Sequence, residues 1–231
     1  MKYQNVISAI FVERKNRFIA TAKIGDELVV THVKNTGRCR ELLIPGTTVW
    51  LAVSDNPTRR TKYDLIAVEK ERVGKPPLLI NMDSQAPNAA VAEWLPKSGL
   101  FSSNARFCRE VTHGKSRFDF AIYEDEKITF LEVKGVTLEE NGVLRFPDAP
   151  TERGIKHLRE LTDLATAGYG AAVLFLVQMN EAMEFRPNDE THKAFGEALR
   201  DAKCGGVSIY CYKSAVSPDS ITVADPVPIK L

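Results

Sequence analysis

Cysteine is scarce in this chain: Cys39, Cys108, Cys204 and Cys211 are the only four in 231 residues, and no two stand in a Cys-x-x-Cys spacing. Neither a zinc site nor a disulfide framework is expected, and buried reduced thiols are. Long apolar runs are missing too. The longest, Ala171 to Val177, is far short of the roughly 18 residues a membrane span needs. The greasy start from Val6 to Val12 runs straight into Glu13-Arg14-Lys15-Asn16-Arg17 with no small-residue cleavage site, so it reads as a strand and not an export signal. A cytoplasmic location is expected. There is no Gly-x-x-x-x-Gly-Lys-Ser/Thr loop, and Gly168-Tyr169-Gly170 precedes a strand where a dinucleotide motif would follow one, which argues against a nucleotide-binding enzyme. No helix-turn-helix is evident either. Charge of one sign is also lacking: 31 Lys and Arg face 30 Asp and Glu, so bulk charge cannot by itself carry nucleic-acid binding.

What is present is an ordinary globular composition, 44% hydrophobic, with an uneven charge distribution. Residues 1–80 hold 14 basic and 8 acidic side chains, whereas residues 81–231 hold 17 and 22. Two modules are expected. In the first, short β-rich runs alternate with polar breaks at Val6 to Val12, Arg17 to Ile24, Leu28 to Val33, Thr48 to Val53 and Tyr63 to Glu69, a pattern that fits a small barrel or sandwich, an OB-like barrel among them. Gly74-Lys75-Pro76-Pro77 reads as a break in regular structure, with the boundary near residue 80.

Residues 81–231 mix strands and helices. A helical run from Ala89 to Leu95 stops at Pro96, and strands at Arg106 to Thr112, Arg117 to Tyr123 and Lys127 to Val133 are separated by turns at His113-Gly114-Lys115 and Glu124-Asp125-Glu126. A helix from about Thr151 to Ala167 follows, with Ile155, Leu158, Leu161 or Thr162, and Ala165 on one side and Gly168 at its end. Ala171 to Gln178 reads as a doubly buried strand, Asp189 to Lys203 as a helix and Val207 to Tyr212 as the closing strand. The expected class is α/β, or α+β overall: a small barrel followed by an α/β domain around a mixed sheet.

Within that second domain, Asp119 in Ser116-Arg117-Phe118-Asp119-Phe120 and Glu132-Val133-Lys134 fall on neighbouring strands of one hairpin. Period-two geometry puts Phe118 and Phe120 on one face with Asp119 opposite, and lets Glu132 and Lys134 share a face while Val133 packs. Two carboxylates and an ammonium suit Mg²⁺, which accepts a few carboxylate oxygens and keeps several waters. Spacing alone leaves open a surface ion pair worth about 0–1 kcal/mol. Gly135, directly after the lysine, allows close backbone approach.

A second cluster, Thr151 to Glu160, crowds Arg153, Lys156 and His157 at a helix start. Cations there oppose the macrodipole, a local conflict that suits phosphate binding, although a solvated face explains it as well.

Taken together, Asn35-Thr36-Gly37-Arg38, Ser116 to Phe120, Glu132-Val133-Lys134-Gly135-Val136-Thr137-Leu138, Phe146-Pro147-Asp148-Ala149 and Thr151-Glu152-Arg153-Gly154 through Leu161 resemble the sugar fermentation stimulation protein A (SfsA) family over nearly the whole chain. The resemblance implies an N-terminal OB-fold domain, a C-terminal domain of the PD-(D/E)XK nuclease type, and DNA binding. It assigns the motif acids to Asp119 and Glu132 and the lysine to Lys134. The motif proline is absent, with Phe118 in its place. Glu93 is the favoured further metal ligand and Glu110 its competitor.

The combined expectation is a Mg²⁺-dependent nuclease, with Mn²⁺ able to substitute. Asp119 and Glu132 hold the metal, Lys134 stands at the water, and Arg153 and His157 contact phosphate. Arg14, Lys15, Arg17, Arg38 and Arg40, with Lys156, grip DNA or RNA mainly by the backbone, since stacking aromatics are few: Phe18, beside Phe11 and Trp50, which read as core. His32 and His113 read as structural. The alternative is a non-catalytic DNA-binding or regulatory protein on a nuclease-like scaffold.

Overall fold

The computed structural model describes residues 1–35, 37–114 and 116–231. Thr36 of the Asn-Thr-Gly segment and Lys115 of the expected hairpin turn lie outside them.

The N-terminal module is built from β1 (Val6–Arg14), β2 (Ile19–Ile24), β3 (Glu27–Val33), β4 (Thr48–Val53), β5 (Tyr63–Arg72) and β6 (Lys75–Asn81). The sheet runs β3-β2-β1-β4-β5-β6, and an added β3–β5 pairing closes the first five strands into an OB-like barrel. Alternation explains its interior: Ala9, Phe11, Ala20, Ala22, Val49 and Leu51 are buried. The Gly74–Pro77 segment does not interrupt regular structure as expected. Gly74 takes φ +70° at a turn, and Lys75-Pro76-Pro77 already belong to β6. As the last strand of the sheet order, β6 tolerates prolines that a central strand could not.

The second module begins with α1 (Ala86–Trp94) and continues through β7 (Arg106–His113), β8 (Ser116–Glu124), β9 (Lys127–Val136), β10 (Leu138–Glu140), β11 (Val143–Phe146), α2 (Glu152–Thr166), β12 (Gly170–Val177), β13 (Glu184–Pro187), α3 (Asp189–Cys204), β14 (Ser208–Ser217) and β15 (Ser220–Pro226). Its mixed sheet has the order β15-β14-β12-β9-β8-β7. The centre, β9, β12 and β14, is parallel, with antiparallel pairs at both edges. Periodicity does not reveal β10, β11 and β13, which form a small sheet, or the edge strand β15, which follows the expected last strand. They are short or half exposed and bury too little apolar surface to write a pattern.

Two apolar clusters sandwich the main sheet. One joins Phe118, Phe130 and Phe175 to α2, α3 and the barrel interior, and the other joins Phe120, Leu131 and Leu174 to α1. The barrel and the second module therefore share one continuous core. Polar contacts also cross the junction: Lys70 of β5 is ion-paired with the buried Glu139 of β10 at 2.7 Å, and the Asn81 amide donates to the Gln178 carbonyl.

Candidate active site

The site forms where the hairpin stops being regular. The β8–β9 ladder is paired from Glu124↔Lys127 to Phe120↔Leu131. Beyond it, the Val133 amide donates to Oδ2 of Asp119 at 2.8 Å, a side-chain oxygen standing in for a ladder carbonyl. This departure overturns the simple face assignment. Phe118 packs in the α2-side cluster and Phe120 in the α1-side cluster, so the two flanking aromatics do not share a face. On the neighbouring strand, Glu110 takes φ +56° opposite this point, between the Arg109↔Phe120 and Val111↔Phe118 pairs.

Asp119 is held from two directions. Asn88 on α1 donates its amide to Oδ1 at 2.6 Å, and Val133 occupies Oδ2. Burial, and then the nearby charge of Glu132, push its pKa above the ordinary aspartate value, so the two carboxylates belong to one electrostatic site. Glu132 is 4% exposed, and its Oε1 accepts from Lys134 Nζ at 2.5 Å and from His157 Nδ1. Burial pushes its pKa up, but the His157 bond and the Lys134 charge outweigh this and hold it below the usual glutamate range. Oε2 of Glu132 is buried and has no hydrogen-bond partner among the described residues.

His157 is placed by α2, whose start follows from local chemistry: Thr151 caps it by accepting the Gly154 amide at 3.1 Å, and Glu152 supplies a first-turn acid. The expected single face of Arg153 and His157 is present, with Arg153 Nε donating to His157 Nε2 at 3.4 Å. A guanidinium can only donate, so Nε2 carries the lone pair and Nδ1 the proton that goes to Glu132. His157 is 7% exposed, so it braces Glu132 and does not reach out to a phosphate as expected. Arg153 and Lys156 are exposed, Lys156 lying 3.5 Å from Glu160.

Glu93 is not brought to this site. It lies five residues after Asn88, about 140° further round the helix, and its carboxylate pairs with the Met1 ammonium at 2.5 Å, which also donates to the Ile221 carbonyl of edge strand β15. Glu110 pairs with Arg117 at 2.6 Å. The helix residue that does touch Asp119 is Asn88, which sequence reasoning missed. Its position after Pro87, in the first turn of the helix, was the available signal. Among the described residues, no three His, Cys, Asp or Glu side chains are arranged to hold a metal ion.

On the barrel, Arg14 ends β1 and does not lie free in a turn. Its guanidinium donates to the carbonyls of Arg17, Asn35, Gly37 and Arg38 at 2.6–2.9 Å, so it ties two loops together and is not open to a phosphate. Arg17, Arg38 and Arg40 are exposed around the resulting groove of about 340 Å³, and Lys15 is exposed 3.8 Å from Glu13. Phe18 is 51% exposed, while Phe11 is core and Trp50 is half-buried, bonded to Glu69. His113 packs against Phe130 and Tyr169, and His32 against Asp64.

A closed OB-like barrel joined to a mixed-sheet α/β module, with Asp, Glu and Lys where the central hairpin opens, defines a mixed α/β protein of barrel-plus-sheet architecture. Residues 12–75 match the family described as SfsA N-terminal OB domain, and residues 85–220 match the Sugar fermentation stimulation protein RE domain. The chain belongs to the SfsA family. It is 50% identical to a sugar fermentation stimulation protein homolog of Clostridium beijerinckii, over 100% of both chains. It is 52% identical to one of Desulfitobacterium hafniense, over 100% of this chain and 99% of the relative. Among solved structures it resembles Pyrococcus furiosus SfsA in complex with Ca²⁺, with a TM-score of 0.87 and 26% identity over 100% of this chain and 98% of that one. Among the described residues, no helix is long and apolar enough to cross a membrane.

Proposed function

We propose that the protein is a Mg²⁺-dependent nuclease that hydrolyses phosphodiester bonds of DNA or RNA, held mainly by the backbone. The observation that carries this reading is Oε2 of Glu132, a buried carboxylate oxygen without a partner, beside the desolvated Asp119 carboxylate and the Lys134 ammonium. An unpartnered buried oxygen is costly unless something binds it, and hard oxygen donors of this kind fit Mg²⁺ or Mn²⁺ with water completing the shell. Asp119 and Glu132 would hold the ion, which when bound stabilises phosphate charge and acidifies a water. The Ca²⁺ of the Pyrococcus furiosus relative agrees with a divalent ion in the family.

The chain's own residues do the rest. Asn88 orients Asp119, and His157 fixes Glu132. Lys134, 17% exposed, offers positive charge to the scissile phosphate or orients the attacking water. Arg153 extends from the same helix start toward the strand, whose backbone Arg17, Arg38 and Arg40 hold on the barrel.

A second reading, a DNA-binding protein that does not cut, is favoured by the lack of a three-ligand cluster among the described residues. Incubating the protein with single- and double-stranded DNA and RNA, with Mg²⁺, Mn²⁺ or chelator, separates the two. Metal-dependent products lost in Asp119→Ala and Glu132→Ala support the nuclease. Binding that survives chelator and both substitutions without products supports the second reading.

A further inference from the structure

A cavity of about 130 Å³ lies where the barrel meets the second module, walled by Asn35, Gly37, Gly135, Arg145, Asp148 and Gln178 among others. Gly37 lies in the wall of both this cavity and the basic groove, and Gly135 is the residue after Lys134 on β9. Two glycines keep it open. A Cβ on Gly37 would stand 2.5 Å from Oδ2 of Asp148, and one on Gly135 would stand 2.3 Å from Oε1 of Gln178.

The polar groups of the wall are underused. Arg145 Nε is buried without a hydrogen bond among the described residues, the Glu140 carboxylate being 3.6 Å away. Desolvation pushes the pKa of Asp148 up, opposed only by its own amide and that of Ala149. The Gln178 amide nitrogen donates to Asn81 and to the Asp83 carbonyl, while its Oε1 faces Gly135. An occupant must therefore bring acceptors to Arg145 and an N–H donor to Asp148. Inorganic phosphate would meet the Asp148 carboxylate, and a metal ion would meet the Arg145 guanidinium. At about 130 Å³ the cavity is slightly smaller than the roughly 150 Å³ that encloses benzene, so it can take at most the hydrogen-bonding edge of a single ring, the sugar-bearing edge staying outside; a purine is too large.

We propose that this cavity receives the hydrogen-bonding edge of a single unstacked pyrimidine of a bound strand, cytosine in preference to thymine. The exocyclic amino group of cytosine donates to Asp148, and its ring nitrogen and carbonyl accept from Arg145, pairings of the kind by which carboxylates and guanidiniums read base edges. The inference rests on the nucleic-acid reading of the groove and adds one base preference to contacts that are otherwise to the backbone.

Fluorescence anisotropy tests it, in chelator, with short labelled dA strands carrying one central dC, dT or dA. Wild type is expected to bind the dC strand roughly 10-fold tighter. That preference should vanish in Asp148→Ala, Arg145→Met and the cavity-filling Gly37→Ala, with residual affinity kept and folding checked by thermal melts. Equal wild-type affinity for the three strands overturns the pocket assignment while the groove reading stands, and no binding to any strand overturns both. The wild-type comparison decides even where a variant does not fold.

Discussion

His157 and Glu132 form a buried hydrogen-bonded pair across the α2–β9 contact, with the imidazole Nδ1–H on Oε1 and the opposite oxygen, Oε2, left without a partner among the described residues. The histidine thus fixes which carboxylate oxygen faces a ligand. Replacing it with alanine should loosen Glu132 and weaken divalent-ion binding about 10–100-fold, the usual effect of losing an outer-shell partner. Calorimetric titration with Mn²⁺ reads this, and His157→Gln, which can still donate, should recover part of the loss. Unchanged Mn²⁺ affinity in His157→Ala would remove the bracing role.

Arg14 should behave unlike its basic neighbours. Its four carbonyl contacts predict that Arg14→Ala destabilises the fold by on the order of 2–4 kcal/mol. Arg17→Ala and Arg38→Ala should leave the melting temperature within a degree or two and lower the slope of log affinity against log salt by about 1 each. Chemical denaturation and salt-dependent binding titrations distinguish the two behaviours.

The Lys70–Glu139 pair gives the junction an acid-sensitive element. Burial raises the Glu139 pKa, but the Lys70 bond and the Gly142 amide outweigh it and hold it below the ordinary glutamate value. A depressed folded-state pKa contributes stability that is present above the unfolded value, near 4.5, and is lost as pH falls through the folded one. Glu139→Gln should therefore narrow its gap to wild type as pH drops from neutral toward the folded value. At neutral pH, Lys70→Met should cost about 2–3 kcal/mol, because the pair is only partly shielded, with Lys70 21% exposed. Urea melts across that pH range provide the check.

Gly135→Ala tests the crowding beside the site. The new methyl would lie 2.3 Å from Gln178 Oε1 and 2.8 Å from Pro87 Cγ. A loss of about 1–3 kcal/mol is expected from overpacking, read as a lower thermal midpoint; an unchanged midpoint would mean that the α1 start and Gln178 shift freely.

Much of this arrangement could be read from the chain before any coordinates. The five barrel strands follow from alternation, α2 and α3 from their apolar faces, and β12 from a run of seven apolar residues. Glu132 and Lys134, two apart on one strand, had to share a face, and they do. Phe118 and Phe120, expected on one face, pack in different clusters, because a period-two rule assumes an unbroken ladder and β8 leaves the ladder at Asp119. The family resemblance favours Glu93 as a further acid on the helix entering the second module. Only the helix rotation relative to the sheet decides that Asn88 faces Asp119 while Glu93 turns to Met1.

Local pattern thus determined the elements, the family membership and the residue types of the site, since these depend on side-chain spacing and short-range backbone preference. Tertiary packing alone decided which groups are free and which are used internally: His157 serving Glu132, Arg14 absorbed by loop carbonyls, Oε2 of Glu132 left over. Whether a polar atom has a partner depends on segments far apart in sequence being pressed together with water excluded, and one chain's order of residues does not record that.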